Sequence, residues 1–537
     1  MTRMINASSG KSDAKRLSGS TFILTLLGML FLSIQAFAQL SIPLNHIITQ
    51  KIESSATNKN PDFITCLKPF NEQQLRSFIN VDSIMVFDSK SHSKWIGRKL
   101  WNESFLQLDS PAFHLSFDPL INFSFGEDQI SHKKLFVNTR GARIQGLLGK
   151  TIGFETSFYE NQGLFAPFWD DYISQTRVSP GQGRAKRFNK TGWDYAFSSG
   201  YIQWQASKVL NIQFGHDKNF IGDGYRSLLL SDVSTNYPFL KVSLTWKKVQ
   251  YTRIVASFMN LDYNILGKDI KAFPKKTANF HLLSVSLLKK IQLSLFEGTV
   301  IGNPDSQGRF KLNMDILSPI PYIDMLKTNQ AHINPIAGTN IRWQIAQGLA
   351  IYNQWVFDND KISKIKSYGF QAGIKYYNAF GIERLFLQTE YNQVMPFTYS
   401  NSDSTIAYSH YSQPLAHPLG ANFREFTGII QYQVGHWSAY GKMTLAKYGT
   451  DDSKTNLGKD ILKPIPTNAS VSTLFQGEIT KLNTYEGALS YYFNPKNQMN
   501  ISAGFYLQNT DAFQSQKIST FYLSFRTSLT NLYYDFR

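Results

Sequence analysis

Two stretches of this 537-residue chain gather side chains that could do chemistry. In the first, His216 and Asp217 stand side by side, with Asp223, Arg226 and Asp232 close behind. A histidine beside a carboxylate is the material of general acid–base catalysis. Neighbours on an extended chain point to opposite faces, however, and no Ser or Cys in a recognisable nucleophile setting accompanies the pair. No catalysis is expected there: Asp223-Gly224 reads as a turn and Arg226 as half of an ion pair.

The second stretch, 408–426, crowds His410, Tyr411, Gln413, His417, Asn422, Arg424 and Glu425 around Pro414 and Pro418. Planar polar groups beside an aromatic face suit sugar hydroxyls or an acidic glycan. His410 and His417 also raise a metal site, but no clustered carboxylates or thiolates complete one, so neither metal nor cofactor is expected. The structural alternative is a loop folded inward on its own hydrogen bonds. The candidate ligand-binding set is therefore these seven residues together with His216, Asp217 and Arg226.

What must position them is legible in the alternation. From about Phe113 onward, apolar and polar residues alternate in segments of about ten residues, the signature of a membrane β-barrel. Leu240, Val242, Leu244 and Trp246 alternate with Lys241, Ser243 and Thr245, and Ile341, Trp343 and Ile345 with Asn340, Arg342 and Gln344. Eight short turns, near 149–150, 206–208, 247–248, 289–290, 346–348, 378–382, 435–436 and 494–497, take turns with nine longer polar stretches. That pattern predicts about eighteen antiparallel strands over 113–537, with short turns in the periplasm and long loops outside. The last strand is expected over 518–537. Glu155, Lys241, Arg253, Arg342, Lys375 and Glu390 are expected to face the lumen, where they brace the wall or select a solute.

Residues 1–38 carry Arg3, Lys11, Lys15 and Arg16, an apolar run over 21–34 and Ala36-Phe37-Ala38, a secretory signal cleaved before Gln39. Residues 39–112 lack the strand rhythm, and 71–80 looks helical, so a small, partly helical periplasmic or plugging segment is expected. Past the signal, no run of about 18 apolar residues offers a helical span. One cysteine, Cys66, rules out a disulfide framework and a multi-thiolate metal site. The net charge of +17 falls to about +14 without the signal. An exported chain with no basic recognition helix has little use for nucleic acid, so the charge points to lipopolysaccharide or acidic surface polysaccharide.

Several stretches resemble the gliding-motility RemB family and, more distantly, the Wzi family of capsule-assembly outer-membrane proteins. They are FHLSFDPLINFSFG at 113–126, TRGARIQGLLGKTIGFETSFYENQ at 139–162, FGHDKNFIGDGYRSLLLSDVSTNYPFLKV at 214–242 and YSHYSQPLAHPLGANFREF at 408–426. The long basic leader and the C-terminal Arg537 depart from the pattern. The resemblance implies an outer-membrane barrel that supports polysaccharide assembly or attachment, or works with motility or adhesin proteins, by binding and not as an enzyme. A porin or substrate-specific channel is the alternative.

Overall fold

The computed structural model describes residues 40–537 except 82–83, 85–93, 262–272, 303–320, 322–332, 361–364, 453–454, 470–472, 513–514, 528, 534 and 536–537. The expected signal segment lies outside the described residues. Eighteen long antiparallel strands close into one barrel. In chain order they are β1 (Phe113–Asp128), β2 (Lys133–Leu148), β3 (Ile152–Leu164), β4 (Gly192–Gln205), β5 (Leu210–Asp217) and β6 (Tyr237–Trp246). Next come β7 (Val249–Met259), β8 (Lys275–Leu287), β9 (Ile291–Ile301), β10 (Ile333–Ala346), β11 (Leu349–Asp360) and β12 (Ile365–Tyr377). The circuit ends with β13 (Leu385–Val394), β14 (Phe423–Val434), β15 (Trp437–Thr450), β16 (Glu478–Asn494), β17 (Met499–Asp511) and β18 (Gln516–Thr527). Among the described residues, no helix is long and apolar enough to cross a membrane.

Alternation decides which face meets lipid. On β6, Lys241 and Ser243 are buried toward the lumen while Leu240 and Trp246 are 43% and 61% exposed. Lumen-facing hydroxyls on neighbouring strands hydrogen-bond across the ladder, as Ser243 to Thr252 at 3.0 Å and Ser284 to Ser294 at 2.8 Å. Outward Trp204, Trp246, Trp343 and Trp437 lie close to the short turns, where an aromatic girdle meets the membrane interface. Arg253, expected in the lumen, is on the outward face: it pairs across the ladder with outward Val242, and its Nε donates to Asn279 Oδ1 at 3.0 Å.

The seam has an unusual closure. β18 pairs with β1 only from Thr520↔Asp128 to Arg526↔Asn122. A separate strand, Leu106–Ser110, takes the vacated ladder position and pairs with Phe113–Phe117. Pro119, with no N–H to offer a partner, falls in the gap between them. The last strand is thus shorter than its sequence pattern suggests. Beyond Thr527 the chain turns inward, because Asp535 finds buried cationic partners there (below).

Among the described residues, four segments reach into the lumen and hold its polar and apolar contacts. The first holds helix α1 (His46–Lys59) and helix α2 (Glu72–Arg76). Asn45 caps α1 by accepting the N–H groups of Ile47 and Ile48 at 2.9 and 3.1 Å, a contact worth about 1 kcal/mol. Ile48, Ile52 and Ala56 form its buried stripe at i, i+4 and i+8. Glu53 anchors the opposite side, 3.1 Å from Lys68 and 2.7 Å from the wall residue Lys375. The other three are the 218–236 connection, the 395–422 connection and the tail around Leu529–Asp535. Leu228, Leu229 and Leu230 from the second and Tyr399, Tyr408 and Leu415 from the third share one apolar cluster with Cys66 and Leu67 of the first.

Candidate functional site

The lumen loops are built by charge as much as by apolar packing. Arg226 is fully buried, and its Nε and Nη2 donate to the two Glu425 carboxylate oxygens at 3.2 and 3.3 Å. Its Nη2 also stands 2.9 Å from Asp535 Oδ2, and Lys442 approaches that same oxygen at 3.3 Å. Burial alone would raise the Asp535 carboxyl, but Arg226 and then Lys442 outweigh it and hold the group well below the usual carboxylate range. His417 completes the cluster: Nδ1 accepts the Leu419 N–H at 3.2 Å, so Nε2 carries the proton and donates to Glu425 at 2.9 Å. Burial pushes the His417 pKa down, with Glu425 opposing. Glu390 receives the backbone N–H groups of Tyr225 and Arg226 at 2.7 and 3.1 Å.

The structure thus brings Arg226, His417 and Glu425 together, keeps His410, Tyr411 and Gln413 on one small hairpin where His410 pairs with Gln413, and leaves the other candidates in separate settings. His410 is buried between the Met259 N–H at 3.0 Å and the Asn236 carbonyl at 3.1 Å, and burial drops its pKa to about 3. Gln413 accepts the Gly181 N–H at 2.8 Å. Asn422, at φ +59, clasps the end of β15 and the connection that follows it through the Gly449 and Gln476 carbonyls at 3.2 and 2.8 Å. Tyr411, half-buried, donates its backbone N–H to Met259 at 3.0 Å. Arg424 is exposed on the outer wall, bonded to Gln393 at 2.9 Å and stacked on Phe475. His216 sits on the outward parity near the Ser198 carbonyl at 3.1 Å, while Asp217 accepts the Lys218 N–H at 2.8 Å. Tyr411 and Arg424, expected to act together, do not share a face. Among the described residues no cluster of His, Cys, Asp and Glu is arranged to hold a metal.

The open space lies elsewhere. After β3 the chain forms a ten-residue helix (Pro167–Thr176), which Arg177 ends in the left-handed conformation at φ +58. The strand Gly183–Phe188 that follows pairs with the outer part of β4, Ala185 opposite Tyr195, where β5 no longer reaches. Between this extension and the outer ends of β7 and β8 opens a cleft of about 1280 Å³. Arg177, Arg184, Lys186 and Arg187 line one side, and Ser409 and Ser412 of the second candidate stretch contribute to it. All four cations are exposed. Arg187 is engaged with Asp170 at 3.2 Å, but Arg177, Arg184 and Lys186 make no ion pair among the described residues. Among the described residues the lining has two carboxylates, Glu160 and Asp194, against these four cations. The signal of this cleft in the sequence is the stretch 177–190, which contains five basic residues and no acidic one.

Between the lumen segments themselves lie cavities of about 60, 30 and 20 Å³, each with room for one or two waters.

No protein-family model matches the chain, and no curated protein matches it significantly. Among solved structures, it is similar to Wzi, described as an outer-membrane protein involved in group 1 capsule assembly in Escherichia coli and a carbohydrate-binding β-barrel. The TM-score is 0.56 at 12% identity, covering 92% of this chain and all of Wzi. OprD of Pseudomonas aeruginosa follows at TM-score 0.41 and 12% identity, over 78% of this chain and 96% of OprD. OpdK of the same organism gives 0.42 and 9%, over 77% of this chain and 98% of OpdK. The chain is an outer-membrane β-barrel by fold, of the architecture that Wzi shares.

Proposed function

We propose that this barrel holds an acidic polysaccharide at the cell surface by binding, without chemistry of its own. The observation that carries the reading is the basic cleft on the long-loop side, set above a lumen filled by four segments. Carboxylate or phosphate groups along a glycan would face Arg177, Arg184 and Lys186, and the hydroxyl of Ser412 would meet sugar hydroxyls. In this reading the candidate residues His410, Tyr411 and Gln413 shape the cleft floor, while Arg226, His417, Asn422 and Glu425 fix the loop beneath it. Arg424 faces the lipopolysaccharide from the outer wall. The family resemblance adds capsule attachment and surface gliding as the two cellular settings.

The test uses the purified full-length protein and immobilised polysaccharides. An acidic glycan should be retained and a neutral one should not, with retention falling as salt rises. Salt-independent binding of both would overturn the reading. A strain lacking the protein should lose capsule attachment or surface spreading, and one normal in both would count against it. Planar-bilayer conductance separates the channel alternative: large steady currents from the intact protein would favour it.

A further inference from the structure

The short-turn end of the wall carries an apolar surface that neither the lumen nor the cleft uses. Helix α3 (Trp95–Trp101) docks there through Trp101, whose ring meets His436, Tyr491 and Phe493 edge-on at 5.3, 6.1 and 5.3 Å. Asn494 donates to the carbonyls of Lys99 and Glu103 at 2.9 and 2.8 Å, partners that the end of a helix otherwise lacks. Tyr491 and Phe493 share the outward parity of β16 with exposed Tyr485 and Leu489. The helix therefore lies against the outside of the barrel.

Its free side presents Trp95, Ile96 and Leu100, exposed by 57%, 64% and 45%. The apolar surface runs on through Phe105, Leu106 and Leu108. Leu106 pairs with Phe117 and Leu108 with Leu115, on the outward face of β1 that presents Phe123 and Phe125 further along. The patch is thus continuous with the lipid-facing band, at the level of the tryptophan girdle. Lys94, Arg98 and Lys99 flank it, and its two carboxylates are engaged: Glu103 with Arg98 at 3.0 Å and Lys99 at 2.9 Å, and Asp109 with His114 and with Gln107 at 2.7 Å.

We propose that 94–110 is an interfacial foot that seats among the glycerophospholipid headgroups of the inner leaflet of the outer membrane, and that the same segment completes the seam left short by β18. Apolar side chains dip below the headgroups, and the flanking cations meet their phosphates. The proposal stands apart from the glycan reading, because it uses the opposite end of the barrel.

The experiment reconstitutes the full chain in vesicles of phosphatidylethanolamine and phosphatidylglycerol, with ordinary or brominated acyl chains. In a Cys66→Ser background, Ile96→Cys carries an environment-sensitive fluorophore, and Lys290→Cys in a short turn serves as the water reference. The Ile96 probe should emit to the blue of the Lys290 probe and lose at least half its intensity in brominated lipid, while the Lys290 probe keeps most of its own. Equal, water-like emission at both positions would overturn the proposal. So would disulfide crosslinking of unlabelled Ile96→Cys between copies without quenching, which would make a second copy the occupant. Should Cys66→Ser fail to show heat-modifiable migration, Trp95→Phe in the otherwise unchanged chain replaces it. Quenching of total tryptophan emission by brominated lipid should then fall, and an unchanged value would overturn the proposal.

Discussion

The 408–426 stretch and the 177–188 stretch are both polar connections on the long-loop side, and they have opposite fates. The first spends its histidines, amides and carboxylate on the protein's own interior: His417, Asn422 and Glu425 are each buried and bonded within the chain. The second leaves Arg177, Arg184 and Lys186 exposed toward a cleft. In a barrel with a polar lumen, a concentration of planar polar groups around prolines is what packing requires. Cations without carboxylate partners are what a ligand requires.

That contrast can be broken most severely at Arg226. Arg226→Leu leaves Glu425 and Asp535 buried, with Asp535 keeping Lys442 and the Thr444 hydroxyl, so it should lower stability by about 3–5 kcal/mol, read as a drop in the midpoint of heat-modifiable migration. A change under about 1 kcal/mol would mean that water reaches this cluster. Acid should act next. His46, bonded through Nε2 to Tyr533 at 3.0 Å, has its pKa lowered to about 4 by burial, with Asp232 opposing and Lys375, Lys442 and Arg226 reinforcing. The folded chain prefers the neutral ring, so stability is full above the unfolded value of about 6.5 and is lost as pH falls toward 4, by up to about 3 kcal/mol. Urea midpoints at pH 7 and 5 should differ, and His46→Gln should reduce that difference, the rest coming from the other buried histidines His410 and His417.

At the cleft the effect moves from stability to binding. Arg177→Gln, Arg184→Gln and Lys186→Gln combined should weaken acidic-polysaccharide binding at least tenfold, about 1.4 kcal/mol, with an unchanged heat-modifiability midpoint. Unchanged affinity would move the binding surface elsewhere. The smallest effect belongs to Arg424→Ala, an exposed outer-wall change expected to stay within about 0.5 kcal/mol, whereas Tyr411→Ala should loosen the floor beside Val178, Leu261 and Phe273 and reduce glycan binding more than Arg424→Ala does.

The strand circuit was legible because it is local: period-2 alternation and turn chemistry placed all eight short turns and nine long connections. The lumen was not, because its contacts join residues far apart, as Arg226 and Asp535 do across 309 positions. Parity told which side chains point inward but not what they meet. Glu155 pairs with Arg143 on the wall at 3.0 Å, yet Lys375 reaches the plug and Lys241 reaches Asn219 of a loop at 3.0 Å. Arg253 shows the limit within a strand, since one charge does not settle a face that ladder pairing decides. The helix expected over 71–80 forms as Glu72–Arg76. The tail kept a strand-like pattern through Phe536, but Asp535 had stronger partners inside.

That inward tail has a consequence for how the molecule is made. His46 donates its backbone N–H to Asn531 at 2.9 Å, and Asn531 returns its own to Leu44 at 3.1 Å, so the first and last described segments hold one another across 485 positions. A chain still lacking residues 529–535 has every strand needed to close the ring but cannot latch its plug. Closing the ring and latching the segment inside it therefore rest on different residues, and a chain cut back before Leu529 would keep the first and lose the second.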